Sequence, residues 1–248
     1  MSVEIVTYAN KSQGMFEDLV NNEFGIPIKV LGWGTKWNGF TDKYKGMSEY
    51  LETKRDEDIV IFLDGFDTKI NKDPRGVVEL FEKYDCKVLV SRDPELMGGP
   101  MSRTIFGTCR GNSIANSGMY MGYVKELKQF INEALKLKCK DDQRNLNTVC
   151  RESEYIKVDK SETIFKNVNQ FQSDKSADAI FLSYPGTVST ERYLRGFFEY
   201  TQFVYVYILC LLVSSLAFYP KYKNQILAVL VAFLTFYVVF ADKSCTLD

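Results

Sequence analysis

Apolar and polar positions over the first 200 residues follow two alternating patterns. Short apolar stretches typical of β-strands are separated by longer stretches with the spacing of amphipathic helices. The predicted strands are Val3–Tyr8, Ile28–Leu31, Ile59–Leu63, Lys87–Ser91, Ser117–Gly122 and Ala179–Ser183. The predicted helices are Lys11–Asn22, Lys43–Lys54, Pro74–Tyr84, Lys125–Lys136 and Asp141–Arg151. This alternation predicts an α/β domain with a mainly parallel sheet flanked by helices.

A different pattern begins near residue 200. Residues 203–218 read FVYVYILCLLVSSLAF and residues 226–241 read ILAVLVAFLTFYVVFA, without a charged residue in either run. Each run spans ~24 Å as a helix, and flanking residues bring the first close to the ~20 residues that cross a bilayer. Neither run has the polar stripe of a soluble helix, so the pattern favours a transmembrane hairpin over a buried helical pair. The predicted domains are therefore residues 1–199 and 200–248.

A hairpin returns the chain to its starting side, so both termini are expected on the same side of the membrane. Arg192, Arg195 and Lys243 stand on the domain side, whereas Lys221 and Lys223 stand in the turn, so the positive-inside rule is nearly balanced. The first ten residues alternate like a strand and show no signal-peptide pattern, which favours a cytosol-facing domain on an ER- or Golgi-type membrane.

Composition narrows the chemistry. The 248 residues are 46% hydrophobic and 25% charged, with a net charge of -1. This is a globular composition without the one-sided basic surface of nucleic-acid-binding proteins. The chain contains no histidine, which excludes Ser-His-Asp and Cys-His catalysis and histidine-ligated metal centres. Its six cysteines form no CxxC pair, so we predict reduced thiols and no zinc site.

The strand Ile59–Leu63 leads directly into two carboxylates, Asp64 and Asp67. Its continuous apolar run is typical of a strand buried on both faces, and the carboxyl edge of such a sheet is where open α/β folds bind ligands. Two carboxylates in one turn can hold a hard divalent cation that offsets the charge of a diphosphate. The alternatives are a turn or helix cap and an aspartyl-nucleophile phosphohydrolase, whose two carboxylates are separated by one residue instead of two.

Two segments at other strand and helix starts carry polar groups. Asn116-Ser117 precedes a glycine and enters a strand, so backbone and side chains can approach a ligand, although the same tripeptide is common in turns. Asp141 and Asp142 open a predicted helix. They either favour its N-terminus or, in a cleft, serve as a base or as acceptors for sugar hydroxyls.

The loop Leu31–Phe40 is rich in glycine and tryptophan. Trp37 in this loop can stack on a flat base, although packing in the core is the commoner fate of a tryptophan. Lys43 follows the loop and can pair with a phosphate or lie on a helix surface.

In order and spacing, these motifs resemble the glycosyltransferase domain of the procollagen lysyl hydroxylase/glycosyltransferase family. The similarity covers residues 1 to about 200 and includes the first strand, which contains Thr7, and the Asp141-Asp142-Gln143 helix start. It implies a GT-A-type (Rossmann-like) fold with a mixed, mainly parallel sheet, a UDP-glucose or UDP-galactose donor and Mn²⁺.

The resemblance also implies a role for individual residues. Asp64 and Asp67 correspond to the metal ligands, and Asn116, Asp141 and Asp142 face the sugar and the acceptor. The donor side is expected to comprise Thr7, Trp37, Lys43, Phe66 and Ser117.

The chain departs from the family late in the domain. There the family has a histidine as a third metal ligand, whereas this chain reads Ser183-Tyr184-Pro185-Gly186-Thr187. The metal is then expected to rest on two carboxylates, the diphosphate and water, which predicts weaker binding or tolerance of Mg²⁺. The predicted function is hexosyl transfer to a hydroxyl of a protein, glycan or lipid, including hydroxylysine of a collagen-like protein. The alternative is a catalytically inactive, membrane-tethered module that binds a nucleotide-sugar or a partner.

Overall fold

The computed structural model describes residues 1–95, 99–137, 139–168, 178–185 and 205–240. The chain divides into two compact units, Met1–Thr187 and Val188–Asp248. The predicted domain boundary at residue 199, the predicted outer ends of the hairpin and the basic residues at 192, 195 and 243 lie outside the described residues.

The described strands of the first unit form two sheets. The strands are β1 (Val3–Tyr8), β2 (Ile28–Leu31), β3 (Ile59–Asp64), β4 (Thr68–Ile70), β5 (Val88–Arg92), β6 (Ala115–Tyr123), β7 (Ile156–Val158), β8 (Phe165–Asn167) and β9 (Phe181–Ser183). The larger sheet has the order β2-β1-β3-β6-β5-β7, and the smaller has the order β4-β9-β8.

The larger sheet is mixed, as predicted. Strand β1 pairs in parallel with β2 and β3, and β5 pairs in parallel with β7. Strand β6 runs antiparallel to both of its neighbours, β3 and β5. Because of this reversal, the first residues of β6 lie at the edge where β3 and β5 end.

Helices cover both faces of the larger sheet. The helices of the first unit are α1 (Phe16–Val20), α2 (Thr41–Leu51), α3 (Val77–Glu82), α4 (Gly99–Phe106), α5 (Val124–Lys136) and α6 (Asp142–Glu152). One hydrophobic core lies between the sheet and α2, α5 and α6. The other lies between the sheet, α1, α3 and the small sheet.

Strand alternation decides which core each side chain enters. In β3, Val60 and Phe62 belong to the core beneath α2, α5 and α6. Ile61 and Leu63 belong to the opposite core. Asp64 continues the face of Phe62 and therefore points toward α2 and α6.

Helix α1 is shorter than the predicted Lys11–Asn22. Gly14 adopts a φ of +58°, and a Cβ there would lie 2.2 Å from the carbonyl oxygen of Phe66. The adjacent N–H of Met15 donates to the same oxygen at 2.9 Å. This close approach takes the segment out of helical geometry and ties it to the turn after β3.

The prediction that all cysteines are reduced is wrong for Cys109 and Cys150, which form a disulfide. They are 41 residues apart in sequence, but the loop before β6 passes against α6 and brings their Cα atoms to 4.9 Å. This is within the usual range for a disulfide. The bond fastens α6, the helix that begins with Asp142.

Removing this disulfide is expected to destabilise the first unit. A closed loop of 41 residues corresponds to about 4 kcal/mol of lost chain entropy in the unfolded state, and measured values are commonly 2–4 kcal/mol. Reductant should therefore lower the thermal midpoint of the wild type. A Cys109→Ala/Cys150→Ala variant should melt at the reduced midpoint with or without reductant. Equal midpoints for oxidised wild type and this variant would contradict the prediction.

The second unit contains two described helices, α7 (Tyr205–Phe218) and α8 (Lys223–Phe240). Within residues 205–240 and the rest of the described chain, no single helix meets the length and hydropathy expected of a membrane span. The segments Tyr205–Phe218 and Pro220–Thr235 meet these length and hydropathy criteria only when taken together, and they are bent by 111° relative to each other. A broken membrane span or a re-entrant loop would have this arrangement.

Candidate functional site

Asp64 lies at the carboxyl end of β3, opposite Tyr8 at the end of β1. The N–H of Phe66 donates to Asp64 Oδ1 at 3.3 Å, which closes the turn after the strand. The side chain of Asp64 remains 23% exposed. A group approaching from solvent can therefore reach this carboxylate without opening the core.

Lys43 joins Asp64 to Asp142. Its Nζ lies 2.6 Å from Asp142 Oδ2 and 3.2 Å from Asp64 Oδ2. The Lys43 side chain is only 8% exposed. Burial alone would lower the pKa of Lys43, but the two carboxylates outweigh burial and raise it. The lysine is therefore a fixed cation that connects the end of β3 to the start of α6.

Asp141 and Asp142 have different environments although they are adjacent. Asp141 is the N-cap of α6, and its Oδ1 accepts the N–H of Arg144 at 2.7 Å. Burial, followed by the charge of Asp142, raises the pKa of Asp141 to about 7. Asp142 pairs with Lys43 instead, and its carbonyl accepts the Tyr44 hydroxyl at 2.9 Å. Asp142 thus belongs to the charged cluster, whereas Asp141 caps the helix.

The raised pKa of Asp141 predicts a pH-dependent stability. The folded value of about 7 exceeds the unfolded value of about 3.9, so the folded state binds the proton more tightly and loses stability as the pH rises from ~4 to ~7. Asp141→Asn keeps a capping side chain and removes the charge. We expect it to match the wild type near pH 4 and to be more stable by about 1–3 kcal/mol at pH 8. Thermal unfolding at both pH values tests this, and parallel pH profiles would contradict it.

Asn116 connects the start of β6 to α6 and β5. Its Nδ2 donates to Gln143 Oε1 at 3.1 Å, and Gln143 Nε2 donates to Asp93 Oδ2 at 2.7 Å. Burial raises the pKa of Asp93. The N–H of Gly118 donates to Asn116 Oδ1 at 2.8 Å, and a Cβ at Gly118 would lie 2.9 Å from that oxygen, so the glycine allows the Asn116 side chain to fold back onto its own strand. Ser117 is buried in the same strand.

Asp67 lies between the two sheets, in the short connection from β3 to β4. Its carboxylate is buried, and Oδ1 accepts the hydroxyl of Ser183 at 3.2 Å. Its carbonyl accepts the N–H of Tyr184 at 2.8 Å. Ser183 and Tyr184, which begin the segment where the sequence departs from the resemblance, thus both contact Asp67.

The loop that contains Trp33 and Trp37 follows β2 at the edge of the larger sheet where β1 and β3 also end. Trp37 is 36% exposed, and its ring lies 5.9 Å from the rings of Tyr8 and Phe40. Trp33 is 56% exposed and stacks on Phe16 at 5.1 Å. Aromatic faces therefore line the edge next to Asp64, since Tyr8 is the register partner of that aspartate.

Thr7 and Phe66, both expected on the donor side, differ in how accessible they are to solvent. Thr7 is fully buried, and its hydroxyl donates to the carbonyl of Leu63 at 2.7 Å. This bond ties β1 to β3. Phe66 is partly exposed in the turn between Asp64 and Asp67, so its ring, unlike the Thr7 side chain, is accessible to a ligand.

The donor set fits a hard divalent cation held partly by its substrate. Among the described residues, no three His, Cys, Asp or Glu side chains are grouped as a metal site. Asp64 and Asp67 offer carboxylate oxygens, the ligand class that Mg²⁺ and Mn²⁺ prefer. Mg²⁺ is commonly bound by one or two carboxylates together with substrate phosphates.

Comparisons with known proteins give the family. A model of the PLOD GT domain matches residues 1–196. Over 212 residues the chain is 27% identical to the multifunctional procollagen lysine hydroxylase and glycosyltransferase of Caenorhabditis elegans, covering 73% of this chain and 28% of that protein. Over 184 residues it is 26% identical to procollagen-lysine,2-oxoglutarate 5-dioxygenase 2 of Homo sapiens, covering 66% and 25%. The chain thus spans about a quarter of the length of these relatives.

A solved structure of the galactosyltransferase LgtC, in complex with donor and acceptor sugar analogs, is similar with a TM-score of 0.47 and 13% identity. The alignment covers 74% of this chain and 87% of that one. The family match is the stronger finding, because it includes most of the chain and every site residue described above. The chain belongs to the family of PLOD glycosyltransferase domains.

Proposed function

We propose that this protein is a divalent-cation-dependent hexosyltransferase of GT-A type that uses UDP-glucose or UDP-galactose as donor. The main support for this proposal is the charged cluster in which Lys43 pairs with both Asp64 and Asp142. This cluster connects the end of β3, where Asp64 can bind a cation, to the start of α6, where Asp142 can contact the acceptor of the sugar. Family membership supports glycosyl transfer as the reaction.

Different side chains of this protein would bind the sugar donor and the sugar acceptor. Asp64 and Asp67 would hold the cation, which supplies positive charge for the departing diphosphate. Asp142 would orient the acceptor hydroxyl or take its proton. Lys43 is engaged by two carboxylates, so we assign it to holding Asp64 and Asp142 rather than to binding phosphate directly. Trp37 and Phe66 offer accessible rings for the uracil base.

The acceptor we propose is a hydroxyl on a protein, with hydroxylysine of a collagen-like chain as the first candidate. The C. elegans relative is a procollagen lysine hydroxylase and glycosyltransferase, which supports this choice. The direct test measures UDP release by the full chain in detergent, with Mn²⁺, each donor sugar and a hydroxylysine-containing peptide. Donor-dependent thermal stabilisation without turnover would instead indicate the inactive binding module.

We also propose that the second unit attaches the protein to a membrane with the first unit on the lumenal side. The apolar helices α7 and α8 support attachment. The disulfide between Cys109 and Cys150 supports the lumenal side over the cytosolic side, because disulfides persist in oxidising compartments. Carbonate extraction tests attachment, and protease protection of intact microsomes tests the side.

A further inference from the structure

Ser183, in the small sheet, has a buried hydroxyl that lies next to Asp67 of the candidate site. It is the last residue of β9 and is 1% exposed. Backbone pairing on both sides fixes its position, with Thr68 of β4 as one register partner and Asn167 of β8 as the other. The Ser183 hydroxyl therefore has little freedom except rotation about its own bond.

The end of β9 holds Asp67 at two points. The Ser183 hydroxyl donates to the carboxylate, and the Tyr184 N–H donates to the carbonyl. A buried carboxylate needs donors to remain ionised. The Thr68 hydroxyl lies farther from the same oxygen, at 3.5 Å. The Ser183 hydroxyl, at 3.2 Å, thus lies closer to Asp67 Oδ1 than the Thr68 hydroxyl does.

Resting on the proposed function, we propose that Ser183 is the positioning residue of the divalent-cation site. It holds the Asp67 carboxylate in the orientation in which that group binds the cation. Hydrogen bonds to metal-ligating carboxylates fix their geometry, and losing one typically lowers metal affinity 10–100-fold. The small sheet is then a functional element, because its central strand orients a ligand contributed by the connection between β3 and β4.

The test measures Mn²⁺ affinity in the full chain in detergent, with and without UDP, by the electron paramagnetic resonance signal of free Mn²⁺. Ser183→Ala is expected to weaken Mn²⁺ binding 10–100-fold. Ser183→Thr retains the hydroxyl and should bind within about threefold of the wild type. Ser153→Ala is the matched control, since Ser153 is a buried serine whose hydroxyl donates to the carbonyl of Val149.

Ser183→Cys covers the case in which the alanine variant does not fold. The thiol nearly preserves side-chain size but is a weak donor, so we expect the same loss of Mn²⁺ affinity. Wild-type Mn²⁺ affinity in the cysteine or alanine variant would overturn the positioning role while leaving the proposed function intact. Absence of Mn²⁺ binding by the wild type with UDP would refute both proposals.

Discussion

Asp67→Asn is expected to reduce UDP release at least ~10³-fold at saturating Mn²⁺. The cation contributes several kcal/mol of charge stabilisation, and each 1.36 kcal/mol corresponds to a factor of ten in rate. Asparagine has the shape of aspartate and can still accept the Ser183 hydroxyl, so the fold should persist. The loss should therefore appear in kcat/KM and in Mn²⁺ affinity, with little change in the thermal midpoint without metal.

The matched control for Asp67→Asn is Asp56→Asn. Asp56 is exposed, and its side chain pairs with Lys128 on the surface. Its amide variant should retain wild-type turnover and wild-type Mn²⁺ affinity. An Asp67→Asn protein that keeps more than a tenth of wild-type turnover would show that Asp67 does not bind the catalytic cation.

Sequence periodicity predicted the parts of the fold that are long and apolar. The buried run Ile59–Leu63 became the central strand β3, and the helical pattern of Lys125–Lys136 became α5. The three-residue strands β4, β7 and β8 were not predicted, because segments this short show no reliable alternation. Ala179–Ser183 was predicted as a strand, and its last three residues form β9, which belongs to the small sheet.

The site was predicted unevenly for a related reason. Asp64 was predicted as a site residue because a strand ends there, and the structure places its carboxylate beside Lys43 of α2. Asp93 follows β5 in the same way and was overlooked, although the same rule about strand ends applies to it. The contact between Ser183 and Asp67 spans 116 residues. It depends on the pairing of two very short strands, which periodicity does not reveal.

The cysteines show the limit of spacing arguments. The absence of a CxxC pair predicted no zinc site, but it carried no information about whether Cys109 and Cys150 pair with each other. Their pairing depends on the loop before β6 lying against the C-terminal part of α6. Only the three-dimensional packing of the two segments brings them together.

Lys43→Met is expected to destabilise the first unit by about 3–5 kcal/mol, because it leaves Asp142 and part of Asp64 as unpaired negative charges in the core. Lys45→Met is the matched control. Lys45 lies in the same helix, but its side chain is 60% exposed, and its pairing with Asp42 is worth less than about 1 kcal/mol. Thermal unfolding followed by tryptophan fluorescence reports on this region, because Trp33 and Trp37 precede α2.

A double-mutant cycle separates the ion pair from simple loss of packing around Lys43. Adding Asp142→Asn to Lys43→Met removes the charge that the methionine leaves unpaired. If the ion pair dominates, the double variant should recover more than half of the stability lost by Lys43→Met alone. Both variants should still lose turnover, since Asp142 is assigned to the acceptor. Additive losses in the cycle would mean that Lys43 stabilises the fold through its buried aliphatic stem, and that the two carboxylates are not coupled through it.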